Sequence, residues 1–92
     1  MSAIRHGTVA AGTAATVTHP RDVREIGVMH KGNVTTPMYV RLDGTTATVA
    51  GDDTYTILPG VQRWIPRIWS AGPNPAISII SAGAVDYEVE FP

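Results

Sequence analysis

The seven residues VDYEVEF, at positions 85–91, alternate strictly between apolar and acidic side chains. Successive side chains of a β-strand point to opposite faces of the sheet, so this pattern predicts a strand with one buried and one solvated face. The segment is the clearest secondary-structure element in the chain, and it places the protein in the β class. The side chains predicted to face inward are Val85, Tyr87, Val89 and Phe91.

The rest of the 92-residue chain also favours strands over helices. Valine, isoleucine and threonine recur throughout, whereas Leu42 and Leu58 are the only leucines. Valine, isoleucine and threonine are β-branched, and such side chains pack well in pleated strands and lower the stability of helices. Nine glycines and seven prolines interrupt the sequence at short intervals, which leaves no long helical pattern.

Turn signals divide the chain into short segments. Asp43-Gly44 is a hairpin signal, Pro59-Gly60 is typical of a type II turn, and Pro66 restricts its segment to a bent or edge strand. Such short connections exclude parallel crossovers, which need about a dozen residues. The sequence therefore predicts an all-β fold, a compact antiparallel β-sandwich or barrel of about seven to eight short strands. The strands predicted before 85–91 are 13–18, 23–30, 38–42, 46–49, 54–58, 61–69 and 76–81.

Residues 1–12 are rich in alanine, glycine and threonine and show no clear period. This composition predicts an extended N-terminal arm, followed by a single β-sandwich domain over residues 13–92. Because a terminal segment of small residues frays unless something holds it, the arm is expected to lie against a neighbouring chain. Its candidate partner-binding residues are Ile4, Arg5, His6 and Val9.

Composition and charge exclude several classes of function. The chain has no cysteine, which excludes disulfides, thiolate metal sites and cysteine nucleophiles. Its formal net charge of -1 argues against nucleic-acid and polybasic membrane-surface binding, since both need a cationic surplus. No apolar run approaches the roughly 20 residues that span a bilayer. The first residues also lack the apolar core of a signal peptide, so synthesis in the cytoplasm is expected.

The sequence contains no recognisable catalytic or cofactor-binding motif. His6, His19 and His30 are scattered, and none belongs to a GxSxG, HExxH, GxGxxG or phosphate-loop pattern. The loop residues Asp43, Asp52 and Asp53 are explained by ordinary turn chemistry, because their spacing does not match a calcium loop. We therefore expect a protein that is not an enzyme and that uses no metal or cofactor.

An aromatic and basic run lies between positions 63 and 69, in the segment RWIPRIW. Trp64 and Trp69 have opposite parity, so both cannot face inward unless the bend at Pro66 resets the register. Tryptophan and arginine are enriched at the hot spots of protein interfaces. The candidate exposed anchors are therefore Arg63, Trp64, Arg67 and Trp69, and the alternative is a bent core strand with solvated arginines.

Three stretches of the sequence resemble the short β-rich virion proteins of tailed bacteriophages, especially those that infect actinobacteria. They are MYVRLDG at 38–44, ATVAGDDTY at 47–55 with LPG at 58–60, and ISAGA at 80–84 followed by YEVE at 87–90. The resemblance covers roughly residues 23–91 and leaves the N-terminal segment outside. Members of this group are similar to capsid decoration, or cement, proteins and to small tail components.

The resemblance implies a structural virion protein that binds and stabilises the assembled phage capsid. The implied partner is the lattice of the major capsid protein, with a homo-oligomer, a trimer being favoured, on the capsid surface. Two alternatives are a tail or head-tail structural component and a carbohydrate-binding module displayed on the virion. The carbohydrate alternative requires exposed aromatic residues beside polar partners such as Arg41, Asp52 and Asp53.

Overall fold

The computed structural model describes residues 3–19, 24–42, 45–66 and 76–91. These ranges contain eight strands, and no helix among them is long and apolar enough to cross a bilayer. The Arg67 and Trp69 candidates, and the predicted Asp43-Gly44 turn, lie outside the described residues. The strands are β1 Ala3–Val9, β2 Ala15–Thr18, β3 Glu25–His30, β4 Met38–Arg41, β5 Tyr55–Ile57, β6 Gln62–Pro66, β7 Ala76–Ser81 and β8 Val85–Phe91.

The eight strands form two antiparallel sheets of four strands each. Sheet A has the order β1-β8-β3-β6, and sheet B has the order β2-β7-β4-β5. Among the described strands, β4 and β5 are the only neighbours in the chain that also pair in a sheet, so every other connection crosses between the sheets. This is the jelly-roll arrangement, also called a double-stranded β-helix. The predicted all-β antiparallel sandwich is confirmed.

The core lies between the two sheets and consists mainly of β-branched side chains. The alternation predicted for 85–91 is confirmed: Val85 and Val89 are fully buried, whereas the acidic side chains between them are only partly covered. Burial of one such aliphatic side chain contributes about 1.5–3 kcal/mol. The buried cluster comprises Val9, Val17, Ile26, Val28, Met38, Val40, Leu42, Ile57, Ile65, Ile77, Ile79, Val85, Tyr87, Val89 and Phe91.

The N-terminal segment is part of the domain, which corrects the prediction of a separate arm over residues 1–12. Strand β1 pairs with β8 along its whole length, from Ala3↔Phe91 to Val9↔Val85. Val9 is fully buried in the core. Without β1, the long strand β8 would be the edge of sheet A, and its apolar face would lose cover. The boundary between an arm and a domain at residues 12 and 13 is therefore absent from the described fold.

Gly7 explains why this strand resembles an arm in sequence. Gly7 lies opposite Tyr87 in the β1–β8 register, and the ring and hydroxyl of Tyr87 occupy the space that a Cβ at Gly7 would need. An aromatic side chain that covers a glycine on a neighbouring strand compensates for the poor strand propensity of glycine. The stability of β1 thus depends on a contact with a residue near the other end of the sequence.

We predict that Gly7→Ala destabilises the domain by about 1–3 kcal/mol, because the new methyl group must displace the buried Tyr87 ring. Equilibrium denaturation in urea measures this change. The same substitution in a Tyr87→Leu background is the control, and there it should cost much less. An equal loss of stability in both backgrounds would show that the Tyr87 ring is not the cause.

The segment 46–49 is not a strand, contrary to the prediction. The peptide N–H of Ala47 donates to Ser78 Oγ, on the outer face of sheet B, at 2.9 Å. Ala47 is also almost fully buried. Further on, Ala50 and Asp53 have φ values of 51° and 61°, which turn the chain and are incompatible with an extended ladder. Strand β4 instead pairs with β5.

Strand β6 is an edge strand of sheet A, as the position of Pro66 predicted. The turn before it is also confirmed: the Val61 N–H donates to the Leu58 carbonyl at 3.1 Å. Gly60, at the third position of this turn, has a φ of 76°. A positive φ at this position is the requirement of a type II turn, and glycine meets it without strain.

Candidate interaction surface on sheet A

The outer face of sheet A carries two cross-strand rows of side chains. One row runs Ile4–Glu90–Gly27–Trp64, from edge strand β1 to edge strand β6. The neighbouring row runs His6–Glu88–Met29–Gln62. Apolar side chains therefore lie at both edges of this face, with carboxylates between them. We call these two rows the outer face of sheet A.

Trp64 is the largest exposed apolar side chain on this face. About two-fifths of it, 42%, is accessible to solvent. Its benzo ring lies over Gly27, where an added Cβ would come within 3.0 Å of two ring carbons. The indole thus packs on the backbone of Gly27, and this contact holds Trp64 in a defined position on the surface. At the other end of the row, Ile4 is 47% exposed.

The carboxylates between the apolar edges form a short acidic stripe along β8. Glu88 has two basic neighbours, with His6 Nδ1 at 3.6 Å and Lys31 Nζ at 3.8 Å. Glu90 accepts a long hydrogen bond of 3.5 Å from Gln62 Nε2. Pairs this exposed contribute at most about 1 kcal/mol to folding. The charges of the stripe are therefore available to influence which partner binds.

Arg63 lies on the other face of β6 and contacts the domain itself. Its guanidinium carbon is 5.0 Å from the centre of the Tyr55 ring, and its Nη1 donates to the Thr56 carbonyl at 3.3 Å. Arg63 therefore links β6 of sheet A to β5 of sheet B. Its side chain has a structural role beside the partner-binding role that the sequence suggested.

The four candidate residues of the N-terminal segment have different environments. Ile4 and His6 lie on the outer face of sheet A, and Arg5 is exposed on the opposite side of β1. Val9 is fully buried, so its side chain cannot contact a partner of the folded domain. The prediction for Val9 is wrong because β1 passes into the core at its C-terminal end.

The polar residues proposed for carbohydrate binding are not grouped with Trp64. Arg41 lies on β4 of sheet B, where its Nη2 is 3.7 Å from Asp53 Oδ2 and its Nη1 is 3.5 Å from the Asp52 carbonyl. Trp64 lies on the outer face of sheet A. Across the described ranges, no group of three histidine, aspartate or glutamate side chains is placed to hold a metal ion.

A buried polar cluster joins the 31–37 loop to the ends of the sheets. His30 is fully buried, and its Nδ1 accepts the Gly32 N–H at 2.9 Å. The proton of the ring therefore lies on Nε2, which donates to the Thr36 carbonyl at 2.8 Å. Ser81, also fully buried, donates to the Pro37 carbonyl at 2.8 Å. Both groups are engaged in structural hydrogen bonds, which the sequence analysis did not anticipate.

Strand β1 has no second partner strand among the described residues, and three of its residues direct their backbone groups away from sheet A. His30 exchanges hydrogen bonds with Val61 and Gly60, whereas the Lys31 N–H donates to the Asp86 carbonyl. Because antiparallel ladders alternate, the even-numbered residues of β8 bond to β3 and the odd-numbered ones bond to β1. The N–H and C=O groups that point away from the sheet are consequently those of Ile4, His6 and Thr8.

This edge differs from the other three edges of the described sheets. Strand β1 has seven residues and no proline, whereas β2 has four residues and β5 has three. Strand β6 has five residues and ends in Pro66, which has no N–H to offer. Natural proteins protect sheet edges by short strands and prolines of this kind. Strand β1 is thus the longest edge of the described fold and the least protected.

Comparison with family models and with curated proteins gives no match. Among solved structures, the chain resembles a de novo designed double-stranded β-helix, with a TM-score of 0.65 and 14% identity over 98% of this chain and 99% of the other. It also matches, with a TM-score of 0.46 and 13% identity over 99% of this chain and 89% of the other, a structure from Bacillus endospore appendages, described as disulfide-linked pili. The first similarity supports the jelly-roll fold alone.

Proposed function

We propose that this protein is a structural, non-catalytic module that binds a larger protein assembly through the outer face of sheet A. Following the sequence resemblance, we propose that this assembly is the capsid of a tailed bacteriophage, which the protein decorates and stabilises. In this proposal it is synthesised in the cytoplasm of the bacterial host and resides on the capsid surface.

The observation that carries the proposal is the exposed position of Trp64. A tryptophan that is fixed from below and open to solvent above is typical of an interface anchor, since its burial by a partner removes a large apolar area from water. Ile4 adds a second exposed apolar side chain on the same face. The jelly-roll fold is compatible with this role, since it occurs in viral capsid and lectin domains.

The acidic stripe defines the kind of surface that fits this face. Glu88 and Glu90 lie between the two apolar edges, so a complementary partner carries basic side chains at its centre and an apolar pocket opposite Trp64. Docking would also support the domain itself. A cysteine-free chain of 92 residues has a small core, and any partner that binds only the folded state increases its stability.

We predict that Trp64→Ala weakens binding to capsids of the cognate phage by about 30-fold or more, the effect of losing a hot spot of about 2 kcal/mol. Co-sedimentation of the labelled protein with purified capsids measures the affinity. Leu58→Ala is the matched control, because Leu58 is 55% exposed but lies in the turn before β6. We expect that control to bind like the wild type.

Unchanged capsid binding by Trp64→Ala would contradict the proposed surface. Two other results would replace the capsid proposal with the alternatives. Binding to purified tails but not to capsids would indicate a tail or head-tail component. Binding to a glycan panel that Trp64→Ala abolishes would indicate a carbohydrate-binding module.

A further inference from the structure

We propose that two copies of this chain associate through their β1 edges, antiparallel and centred on His6. The two four-stranded sheets A would then form one continuous sheet across a two-fold axis. The interface would be the same surface on both copies, as two-fold symmetry requires. This inference does not depend on the identity of the larger assembly.

The backbone of β1 has outward-pointing hydrogen-bonding groups that such pairing requires. Ile4, His6 and Thr8 direct their N–H and C=O groups away from sheet A. In the register centred on His6, Ile4 of one copy lies opposite Thr8 of the other, and His6 lies opposite His6. All three pairs are then hydrogen-bonded pairs, each of which exchanges two N–H···O=C bonds. An unprotected edge of this length is a template for another strand.

The side chains next to the backbone favour a second copy in this register. On the inner side of β1, Arg5 of one copy lies opposite Gly7 of the other, a residue that has no side chain of its own. The hydroxyl end of the Tyr87 ring lies over Gly7. The Arg5 guanidinium of the second copy would then lie near the hydroxyl end of this ring and could donate a hydrogen bond to its oxygen.

The alternative two-fold register, centred on Arg5, is disfavoured by charge. It would place Arg5 directly opposite Arg5 in a non-hydrogen-bonded pair, in which the two side chains are closest. The His6-centred register separates the two arginines diagonally. It places the two His6 side chains opposite each other, and each of them has the Glu88 carboxylate of its own chain 3.6 Å away in any register. Of these two registers, the repulsion between like charges therefore favours the one centred on His6.

The size of the domain gives a physical reason for self-association. The chain has 92 residues and no disulfide, so additional burial between copies supports a small core. If the outer face of sheet A also binds an assembly, the dimer presents two Trp64 anchors on the same sheet. Seven strand spacings separate them, which corresponds to roughly 34 Å. A bivalent contact of this kind binds more tightly than either anchor alone.

Site-specific cross-linking tests the register. Because the chain has no native cysteine, only the introduced thiols can form a disulfide. Directly opposite residues of a hydrogen-bonded antiparallel pair have Cα atoms about 5.5 Å apart, within reach of a disulfide. We expect His6→Cys to form a disulfide-linked dimer under a mild oxidant. Thr8→Cys is the matched control, because two copies of that position lie roughly 14 Å apart along the strands and should not link. Equally rapid linking of both variants would overturn the proposal.

Sedimentation equilibrium of the unmodified chain tests the association itself. We expect a concentration-dependent dimer that His6→Pro reduces to a monomer, because proline removes an outward N–H. Gln62→Pro makes the same change at an outward N–H of the opposite edge, β6, and should leave the dimer intact. Circular dichroism checks that each variant is folded. If His6→Pro does not fold, Arg5→Glu replaces it, and we expect Arg5→Glu to weaken the dimer at least tenfold. A wild-type monomer or trimer would overturn the proposal, whatever the capsid-binding result.

Discussion

Deletion of residues 1–12 is expected to abolish cooperative folding of the domain. The deletion removes the whole of β1, and with it the ladder that runs from Ala3↔Phe91 to Val9↔Val85. The carbonyl and amide groups on one side of β8 lose their partners at the same time. Removal of a peripheral arm would instead impair binding and leave the fold intact.

The size of the effect follows from burial. Loss of the Val9 side chain alone costs about 1.5–3 kcal/mol, and Tyr87 loses the backbone of Gly7 on which it packs. Small domains have a total stability of about 5–15 kcal/mol, and this chain lies at the small end of domain size. The free energy lost with β1, together with that lost by exposing one side of β8, is therefore expected to exceed the total stability of the domain.

Thermal unfolding followed by circular dichroism measures this result, and the deleted chain should show no cooperative transition. The control is a deletion of residues 1 and 2, which leaves all seven residues of β1 in place. That shorter chain should unfold cooperatively, close to the wild-type midpoint. A cooperative transition in the chain that lacks residues 1–12 would mean that β1 is dispensable for the fold.

Ile79→Ala is expected to destabilise the domain by about 2–5 kcal/mol, the usual cost of removing a large aliphatic side chain from a core. Ile79 lies on β7, between Ala15 of β2 and Val40 of β4, and is fully buried. Its neighbours on β2 and β4 are fixed in the ladders of sheet B, so we expect them to fill the space left behind only in part. The cost should therefore include a cavity contribution in addition to the lost transfer free energy.

Chemical denaturation compares this variant with Leu58→Ala. Leu58 has the same number of carbon atoms as isoleucine but is 55% exposed, so its truncation should change the free energy of unfolding by about 0.5 kcal/mol or less. Only the buried position should shift the midpoint strongly. Similar losses at both positions would contradict the assignment of Ile79 to the core.

The elements that could be predicted from the sequence are those whose pattern is decided locally. In β8, charged and apolar residues alternate without exception, and one face was bound to be buried. In β7, the apolar run at 76–81 matches a central strand with neighbours on both sides. Pro66 likewise marked β6 as an edge, because proline lacks the donor that a central strand needs.

Strand β1 could not be predicted in this way, because its stabilising partner is distant in sequence. Gly7 weakens the local preference for a strand, and its compensation comes from Tyr87, 80 positions further along the chain. At 46–49 the composition predicts a strand, but the segment is irregular and packs on the outer face of sheet B. There a side-chain acceptor, Ser78 Oγ, takes the N–H of Ala47 in place of a neighbouring strand.

The candidate site was only partly accessible to sequence reasoning. Parity within RWIPRIW indicates that one tryptophan faces outward, and the structure places Trp64 on the surface. The stacking of Arg63 on Tyr55 could not be foreseen, because it joins edge strands of two different sheets. The open edge of β1 was equally hidden, since it follows from strand order and from the phase of the hydrogen bonds.

The pairing of Ala3 with Phe91 has a mechanical consequence. Because the first and last described strands run side by side with opposite polarity, tension applied to the two ends would unzip β1 from β8, loading one hydrogen-bonded pair at a time. Strands that are unzipped in this way separate at low force, whereas strands pulled in shear resist more strongly because many hydrogen bonds are loaded at the same time. In a pulling experiment, handles attached to the ends should therefore record a weak, gradual opening before the core ruptures.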